Sequence, residues 1–218
     1  MILQAIQNSN NFYINNFVSI FKVCAAPLVL ISAFNAYNST SLNMGVQVLT
    51  LLMQLHLSAV LILVTNDIKE SNLKDASDYM IKPFFFLGPL LLVGLAVGLA
   101  TLLGFILFII PGIYLLGKLF YGQYYLLLRG KNAAASIEQA WLLSHEKSWR
   151  NGILISFLVI SITFVTSFVT IPFSNFLTSQ ASLALFIVQI IGFLFTVYMN
   201  IFMYTLFLQD EHEARAIN

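Results

Sequence analysis

Residues 109–151 decide the fold predicted for this chain, and they read IIPGIYLLGKLFYGQYYLLLRGKNAAASIEQAWLLSHEKSWRN. The stretch begins at a proline-glycine pair, stays apolar for about one membrane thickness, and then reaches Arg129 and Lys131. A charged amphipathic segment with Trp141 and Trp149 follows. This order predicts a membrane-spanning helix that ends at a basic boundary, and then a helix lying along that boundary. We expect the two basic residues and the two tryptophans to act as interfacial anchors.

The composition extends this interpretation to the whole chain. Of its 218 residues, 59% are hydrophobic and only 9% are charged. Soluble domains carry about a quarter charged residues, so this chain cannot cover a water-facing surface. The net charge of +1 gives no reason to expect nucleic acid as a partner, and the single cysteine, Cys24, excludes an internal disulfide and a CxxC metal site. We therefore expect an all-α integral membrane protein.

The apolar runs divide the chain into six predicted transmembrane helices within one transmembrane domain, residues 1–218. The spans cover about residues 17–34, 44–65, 83–103, 111–128, 152–170 and 183–208. In the third span, Gly94 and Gly98 form a GxxxG motif, which predicts close packing on a neighbouring helix. Residues 209–218 are charged, and we expect them to form a frayed tail.

Three short interfacial helices are predicted, one before each pair of spans. The first covers Ile2–Asn11, and the second follows an N-cap at Asn72. The third begins at Ser136, where Gln139 completes a capping-box pattern. Their openings align loosely with one another, which suggests a threefold repeat of interfacial helix plus hairpin.

The charged residues predict the topology. Eight of the ten Lys and Arg residues, and all nine acids, lie in residues 66–82, in residues 129–150 or after residue 208. With six spans, these segments lie on one side of the membrane. The connections on the other side, at about residues 35–43, 104–110 and 171–182, contain no charge. The positive-inside rule therefore places both termini and all three interfacial helices in or facing the cytoplasm.

Two parts of the sequence resemble a known family. NNFYINNFVSIFKV at residues 10–23, and IIPGIYL followed by SIEQAWLLSHEKSWRN within residues 109–151, are similar to the bacterial YciC-like family of uncharacterised inner-membrane proteins. The second part is more distantly similar to the membrane domain attached to some glycerophosphodiester phosphodiesterases. The resemblance implies a six-span, multi-pass protein of the bacterial inner membrane. It implies no active-site residue, because the family has no assigned catalytic motif.

Lys118 is the sharpest candidate for a functional residue. It lies eleven residues before Arg129, about 16 Å into the bilayer. A lysine at that depth costs about 2.5–3.5 kcal/mol on insertion scales. The functional interpretation is a cavity in which Lys118 holds an anionic head group or a substrate. The alternative is a lysine satisfied by tyrosines, carbonyls or trapped water. The further residues assigned to this cavity are Tyr114, Tyr121 and Tyr125 on the same helical face, together with His56, Gln54, Gln189 and Asn200.

These features favour a non-enzymatic membrane protein that contacts lipids, anionic ones among them, or partner proteins in envelope maintenance. The alternative is a small transporter or lipid carrier whose internal polar cavity surrounds Lys118. A membrane enzyme would have to work from the charged loops, and these contain no recognised catalytic motif. No second histidine or acid stands at ligand spacing from His56, so neither a metal nor a cofactor is expected.

Overall fold

The computed structural model describes residues 2–40, 44–144, 147–176 and 181–217. Over this part of the chain every regular element is a helix, in agreement with the predicted all-α class. In chain order the elements are α1 (Ile2–Thr40), α2 (Met44–Lys69), α3 (Ala76–Ile81), a 3₁₀ helix (Lys82–Phe86), α4 (Leu87–Leu107), α5 (Ile109–Leu119), α6 (Gly122–Arg129), α7 (Ala133–Leu143), α8 (Ser148–Phe176) and α9 (Ala181–Ile217).

Four segments of the described chain are long and apolar enough to cross a membrane. They are Ile2–Phe34, Met44–Lys69, Ala76–Leu107 and Ile190–Ala216. Large apolar side chains, such as Leu92 and Leu99 on α4, are exposed on the outside of the bundle. A water-soluble protein rarely exposes such apolar surface over a wide area, whereas lipid tails solvate it well. The described helices are therefore compatible with a helical membrane protein.

The remaining two predicted spans are not among these four. Residues 111–128 form α5 and α6, which a turn at Phe120 and Tyr121 separates. Residues 152–170 lie in α8, which is 29 residues long but has many side chains outside the described part after residue 161. Of the uncharged connections, residues 41–43 and 177–180 also lie outside the described residues. The six-span arrangement therefore stays a prediction.

The predicted first interfacial helix is not a separate element. Residues 2–11 continue without a break into the first span, and both belong to α1, which extends over 39 residues with Pro27 inside it. The residues between them contain no glycine or proline that would end a helix. The first unit of the suggested threefold repeat therefore differs from the other two, because no separate short helix precedes its first span.

Short helices, α3 and α7, are present where the second and third interfacial helices were predicted, but each begins at a different residue from the one predicted. The N-cap of α3 is Asp75 and not Asn72. The N-cap of α7 is Asn132, whose side-chain oxygen accepts a hydrogen bond from the backbone N–H of Ala135 at 2.8 Å. Ser136 therefore lies inside the helix rather than at its start, because an asparagine four residues earlier already satisfies a free N–H group.

The closest helix packing occurs at glycines other than the predicted pair. Gly98 of the GxxxG motif is exposed, and a Cβ atom there would meet nothing within 4 Å. By contrast, Cβ atoms at Gly117 on α5 and Gly152 on α8 would overlap the backbone of the facing helix. The backbones of α5 and α8 therefore touch at these two glycines, and this crossing fixes the position of Lys118, the next residue on α5.

The helices form two groups that α6 connects. Helices α1, α2 and α9 pack on one another, and α5 packs on α4, α7 and α8. Helix α6 contacts α2, α4 and α7, while α8 contacts α9. Side-chain bonds join several helix termini in one region, with Ser9 bonded to Thr205 at 3.2 Å and Tyr204 to Asn66 at 3.0 Å. We call this region, which also contains Arg129, Lys147 and Asp210, the charged end of the bundle.

Candidate functional site

Lys118 is enclosed by aromatic rings. Its exposed fraction is 1%. The Nζ atom lies 4.6 Å from the ring centroid of Trp141 on α7 and 5.9 Å from that of Tyr114 on α5. A cation–π contact of a desolvated ammonium is worth about 2 kcal/mol, which offsets much of the cost of placing the charge there. This geometry agrees better with a lysine satisfied inside the bundle than with one that faces an open cavity.

The turn between α5 and α6 separates Tyr121 and Tyr125 from Lys118. A continuous helix over residues 111–128 would place all three on one face, but α5 ends at Leu119 and α6 begins at Gly122. The Tyr121 hydroxyl donates instead to Asp210 Oδ2 at 2.8 Å. The Tyr125 ring packs edge-on against Phe207, with the centroids 5.3 Å apart. Both tyrosines therefore bind α9 rather than line a site around the lysine.

Each of the two tryptophans contacts one member of the Tyr114–Lys118 pair. Trp149, at the start of α8, has its ring centroid 5.4 Å from that of Tyr114. Trp141 covers Lys118 with one part of its ring, and both indoles remain exposed elsewhere. Amphipathic rings in such positions suit the boundary between hydrocarbon and head groups. The arrangement is compatible with the predicted interfacial anchors.

The other predicted residues lie in two different places. His56 is buried on α2 with its ring centroid 4.3 Å from that of Phe84, and its Nδ1 has no hydrogen-bond partner among the described residues. Gln54 and Asn200 meet in a cavity between α1, α2 and α9. Gln189 lies in α9, but its side chain is outside the described part. The structure therefore brings Gln54 to Asn200, and neither of these to Lys118.

Asp210 on α9 is the most enclosed acid of the charged end. Its side chain has an exposed fraction of 0%. Lys147 Nζ lies 3.0 Å from Oδ1 and Arg150 Nη2 lies 2.6 Å from Oδ2, which also accepts the Tyr121 hydroxyl. A carboxylate removed from solvent is stable only when it is paired and hydrogen-bonded, and here both oxygens are occupied. Asp210 thereby ties α6 and the start of α8 to α9.

Lys147 strengthens this junction through a second acid. It also pairs with Glu213, one helical turn beyond Asp210. Burial alone would lower the pKa of Lys147, but the hydrogen bonds to Glu213 and Asp210 outweigh this effect, and the pKa is raised above 10.5. The ammonium is therefore held in its charged form at every pH that a cell experiences.

Glu211, the next residue on α9, forms a second ion-paired cluster. Arg129 donates to it through two nitrogens, at 3.1 Å from Nε to Oε1 and 2.5 Å from Nη2 to Oε2. Arg215 donates from Nη2 to Oε1 at 3.0 Å. Such forked pairs are directional as well as strong. The Glu211 hydrogen bonds raise the pKa of Arg129, which stands at the end of α6, just before Gly130 turns the chain with φ +61°.

A pocket of about 590 Å³ opens beside this second cluster. Its charged and polar lining consists of Arg129, Lys131, Gln139, Glu211 and Arg215, and its apolar lining includes Tyr125, Leu142 and Leu143. Among the described lining residues, three cations face one carboxylate, so this lining has an excess of positive charge. Lys131 is exposed and forms no ion pair with the described residues. We call this the basic pocket.

The sequence interpretation missed the ion-paired acids, because it assigned residues 209–218 to a frayed tail. In the structure α9 continues to Ile217, and Asp210 and Glu211 are buried. One signal was present in the sequence. Met203, Phe207 and Asp210 are spaced by four and three residues, so the acid continues the buried face of the helix. This helical spacing of buried residues indicates that the helix continues through Asp210.

Within the described part of the chain, no group of three or more His, Cys, Asp or Glu side chains is arranged to hold a metal ion. Comparison of the chain with protein-family models, with curated proteins and with solved structures finds no match. These comparisons neither support nor contradict the resemblance to YciC-like proteins, which stays a prediction.

Proposed function

We propose that this chain is a non-enzymatic, multi-pass protein of the bacterial inner membrane that binds anionic phospholipid at its cytoplasmic boundary. The basic pocket is the observation that carries the proposal. The pocket combines an excess of positive charge with an apolar lining. An anionic phospholipid is complementary to it, because a negative head group is joined to an apolar acyl region. The proposal includes membership of the YciC-like family and a role in envelope maintenance, through contacts with lipids or with partner proteins.

The arrangement of helix termini supports the proposed topology. The start of α1, the end of α2, the end of α6, the start of α8 and the end of α9 meet at the charged end. The start of α4 is also there, because Phe86 and Pro89 line a surface pocket with Lys131 and Asn132. Starts and ends alternate along the chain if α5 and α6 count as one passage. This alternation favours six passages with both termini on one side, and the positive-inside rule makes that side cytoplasmic.

The chemistry of the basic pocket favours an anionic head group. Arginine guanidinium groups fit phosphate oxygens through paired N–H donors, and each of the two arginines keeps donors that Glu211 does not occupy. A basic residue near the cytoplasmic leaflet contributes about 1 kcal/mol of attraction to anionic lipid. An excess of two positive charges then predicts about 2 kcal/mol, or a roughly 30-fold preference over zwitterionic lipid. The apolar lining suits the glycerol and acyl region.

The contacts of the acids at the charged end also favour a non-enzymatic role. Asp210 and Glu211 are each held by two cations, and Asp67 on α2 accepts the Tyr79 hydroxyl at 3.0 Å and lies 3.5 Å from Lys74 Nζ. A general acid or base needs a free face toward a substrate. These groups serve the packing of helix ends instead.

The alternative function, a small transporter or lipid carrier with a polar cavity around Lys118, has less support. The rings of Trp141 and Tyr114 contact the Lys118 ammonium, which such a cavity would need for its ligand. A polar cavity does exist in the other helix group, between α1, α2 and α9. The described side chains that line that cavity are uncharged, and Lys118 is not among them.

The proposal is tested by adding phosphatidylglycerol or phosphatidylcholine to the purified protein in detergent, and measuring bound lipid by native mass spectrometry and stability by thermal unfolding. Phosphatidylglycerol should bind preferentially and raise the midpoint. Lys131→Gln should weaken its binding roughly fivefold, since one cation contributes about 1 kcal/mol. Lys82→Gln is the matched control, because Lys82 is also exposed but does not line the basic pocket, and it should weaken binding less than Lys131→Gln. Equal effects of the two lipids, or of the two variants, would refute the proposal.

A further inference from the structure

A second site of a different chemistry lies in the middle of the helix group formed by α1, α2 and α9. It is a cavity of about 410 Å³, within the range of about 300–1,000 Å³ that small-molecule sites occupy. Four of its lining residues are polar and uncharged, namely Gln54, Ser58, Thr196 and Asn200. Apolar residues such as Leu28 and Phe193 complete it, and none of the described residues that line it is charged.

The cavity lies at mid-membrane depth. Gln54 is ten residues from Met44 and fifteen from Lys69, the two ends of α2, which corresponds to roughly 15 Å and 22 Å along the helix. The hydrocarbon core of a bilayer is about 30 Å thick. Polar side chains at this depth have little water to bind, and each costs free energy unless it finds a partner.

Part of the hydrogen-bonding capacity of the cavity is not used within the described part of the chain. Thr196 Oγ1 donates to the Gly192 carbonyl at 2.8 Å, and Asn200 Nδ2 donates to the Thr196 carbonyl at 3.0 Å. Gln54 and Ser58 make no hydrogen bond with the described residues, and the Asn200 side-chain oxygen accepts none from them. The cavity therefore offers both donors and acceptors to a ligand.

We infer that this cavity binds the uncharged hydroxyl, ester or amide group of a membrane-dissolved amphiphile, such as a neutral glycerolipid. A charged ligand would be left without a counter-ion, because none of the lining side chains that the structure describes is ionisable. Gln54 is exposed, so the cavity is open on its α2 side. At mid-membrane depth that opening faces lipid tails, which gives access to a ligand already dissolved in the bilayer.

This site is independent of the basic pocket. The basic pocket is lined from α6, α7 and α9 and selects negative charge, whereas the cavity is lined from α1, α2 and the middle of α9 and excludes charge. Lys131→Gln should therefore leave ligand binding in the cavity unchanged. If one site failed its binding test, the inference about the other site would be unaffected.

The test measures binding of a short-chain diacylglycerol, and of glycerol as its water-soluble counterpart, to the full chain in nanodiscs. The diacylglycerol should bind saturably and glycerol should not. Gln54→Leu and Asn200→Leu remove one hydrogen-bonding group each and should weaken binding roughly tenfold. Because leucine is apolar, both variants should remain folded in this environment, and their thermal midpoints check this.

Gln47→Leu is the matched control, since Gln47 is an exposed glutamine on the same helix that does not line the cavity. It should bind the diacylglycerol like the unmodified chain. Non-saturable uptake of diacylglycerol, saturable binding of glycerol alone, or equal binding by Gln54→Leu and Gln47→Leu would each overturn the inference.

Discussion

Replacing Asp210 by asparagine should cause a large loss of stability while keeping the shape of the side chain. Asp210 is fully enclosed, and it holds Lys147, Arg150 and the Tyr121 hydroxyl. Removing one partner of a buried ion pair costs about 3–5 kcal/mol, because the other charge is left unpaired. Here the two cations are themselves 21% and 20% exposed, and Lys147 keeps Glu213 as a partner. We therefore expect the lower end of that range, about 3 kcal/mol.

Reversible unfolding of the purified protein in mixed micelles measures this loss directly, as a change in the free energy of unfolding. Glu213→Gln is the matched control, because Glu213 pairs with the same lysine but its side chain is 40% exposed. Exposed pairs contribute about 0–1 kcal/mol, so the control should change little. If Asp210→Asn and Glu213→Gln were equally stable, the charged end would not hold α6, α8 and α9 together as described.

Three further changes have defined outcomes. Gly117→Ala should destabilise the fold by several kcal/mol, because the added Cβ would overlap the α8 backbone. Gly98→Ala is the control and should be neutral, because a Cβ there would meet nothing within 4 Å. Equal thermal midpoints of the two variants would contradict the α5–α8 crossing. Lys118→Met should leave the free energy of unfolding unchanged or raise it by up to about 2 kcal/mol, because an apolar side chain of similar size has no charge to desolvate. A clear decrease in the free energy of unfolding in the same assay would contradict this. The stability due to Lys147 should be fully present below its ordinary pKa of 10.5 and be lost as pH rises through the raised pKa. The free energy of unfolding, measured over a series of alkaline pH values, should therefore decline in the unmodified protein and not in Lys147→Met. A decline that persists in Lys147→Met would come from other groups.

The membrane class and much of the helix pattern could be predicted because hydrocarbon imposes a strong local constraint. Every backbone group must be paired within its own helix, and charges are expelled to the ends. Helix α2 illustrates this, since the predicted span of residues 44–65 lies inside Met44–Lys69. The α4–α5 connection was also located correctly, because Phe108, with extended backbone, lies in the uncharged stretch before Pro111.

What could not be predicted depends on contacts between distant parts of the chain. Asp210 pairs with residues 60 and 63 positions away and accepts a hydrogen bond from one 89 positions away. Local periodicity cannot identify such partners, so the acids of α9 resembled a solvated tail. Lys118 and Trp141 were each singled out from the sequence, but only the packing of α7 on α5 brings the indole over the ammonium.

Small local features decided the remaining differences. The turn at Phe120 and Tyr121 comes just before Gly122, and the two later tyrosines contact α9 instead of Lys118. The span prediction treated that stretch as one helix because its hydropathy does not change there. Conversely, α1 continues through the polar residues near Asn11, since helix geometry tolerates polar side chains that hydropathy assigns to an interface.

We expect the helix ends that meet at the charged end, those of α1, α2, α4, α6, α8 and α9, to lie on the cytoplasmic side of a membrane. Cysteine accessibility tests this most directly, in a Cys24→Ser background, since Cys24 is the one native cysteine and is buried. Lys82→Cys and Lys131→Cys should react with a membrane-impermeant thiol reagent only after cells are opened, whereas Phe108→Cys should react in intact spheroplasts. Labelling of positions 82 and 131 from opposite sides, or of position 108 only from the cytoplasm, would contradict the account.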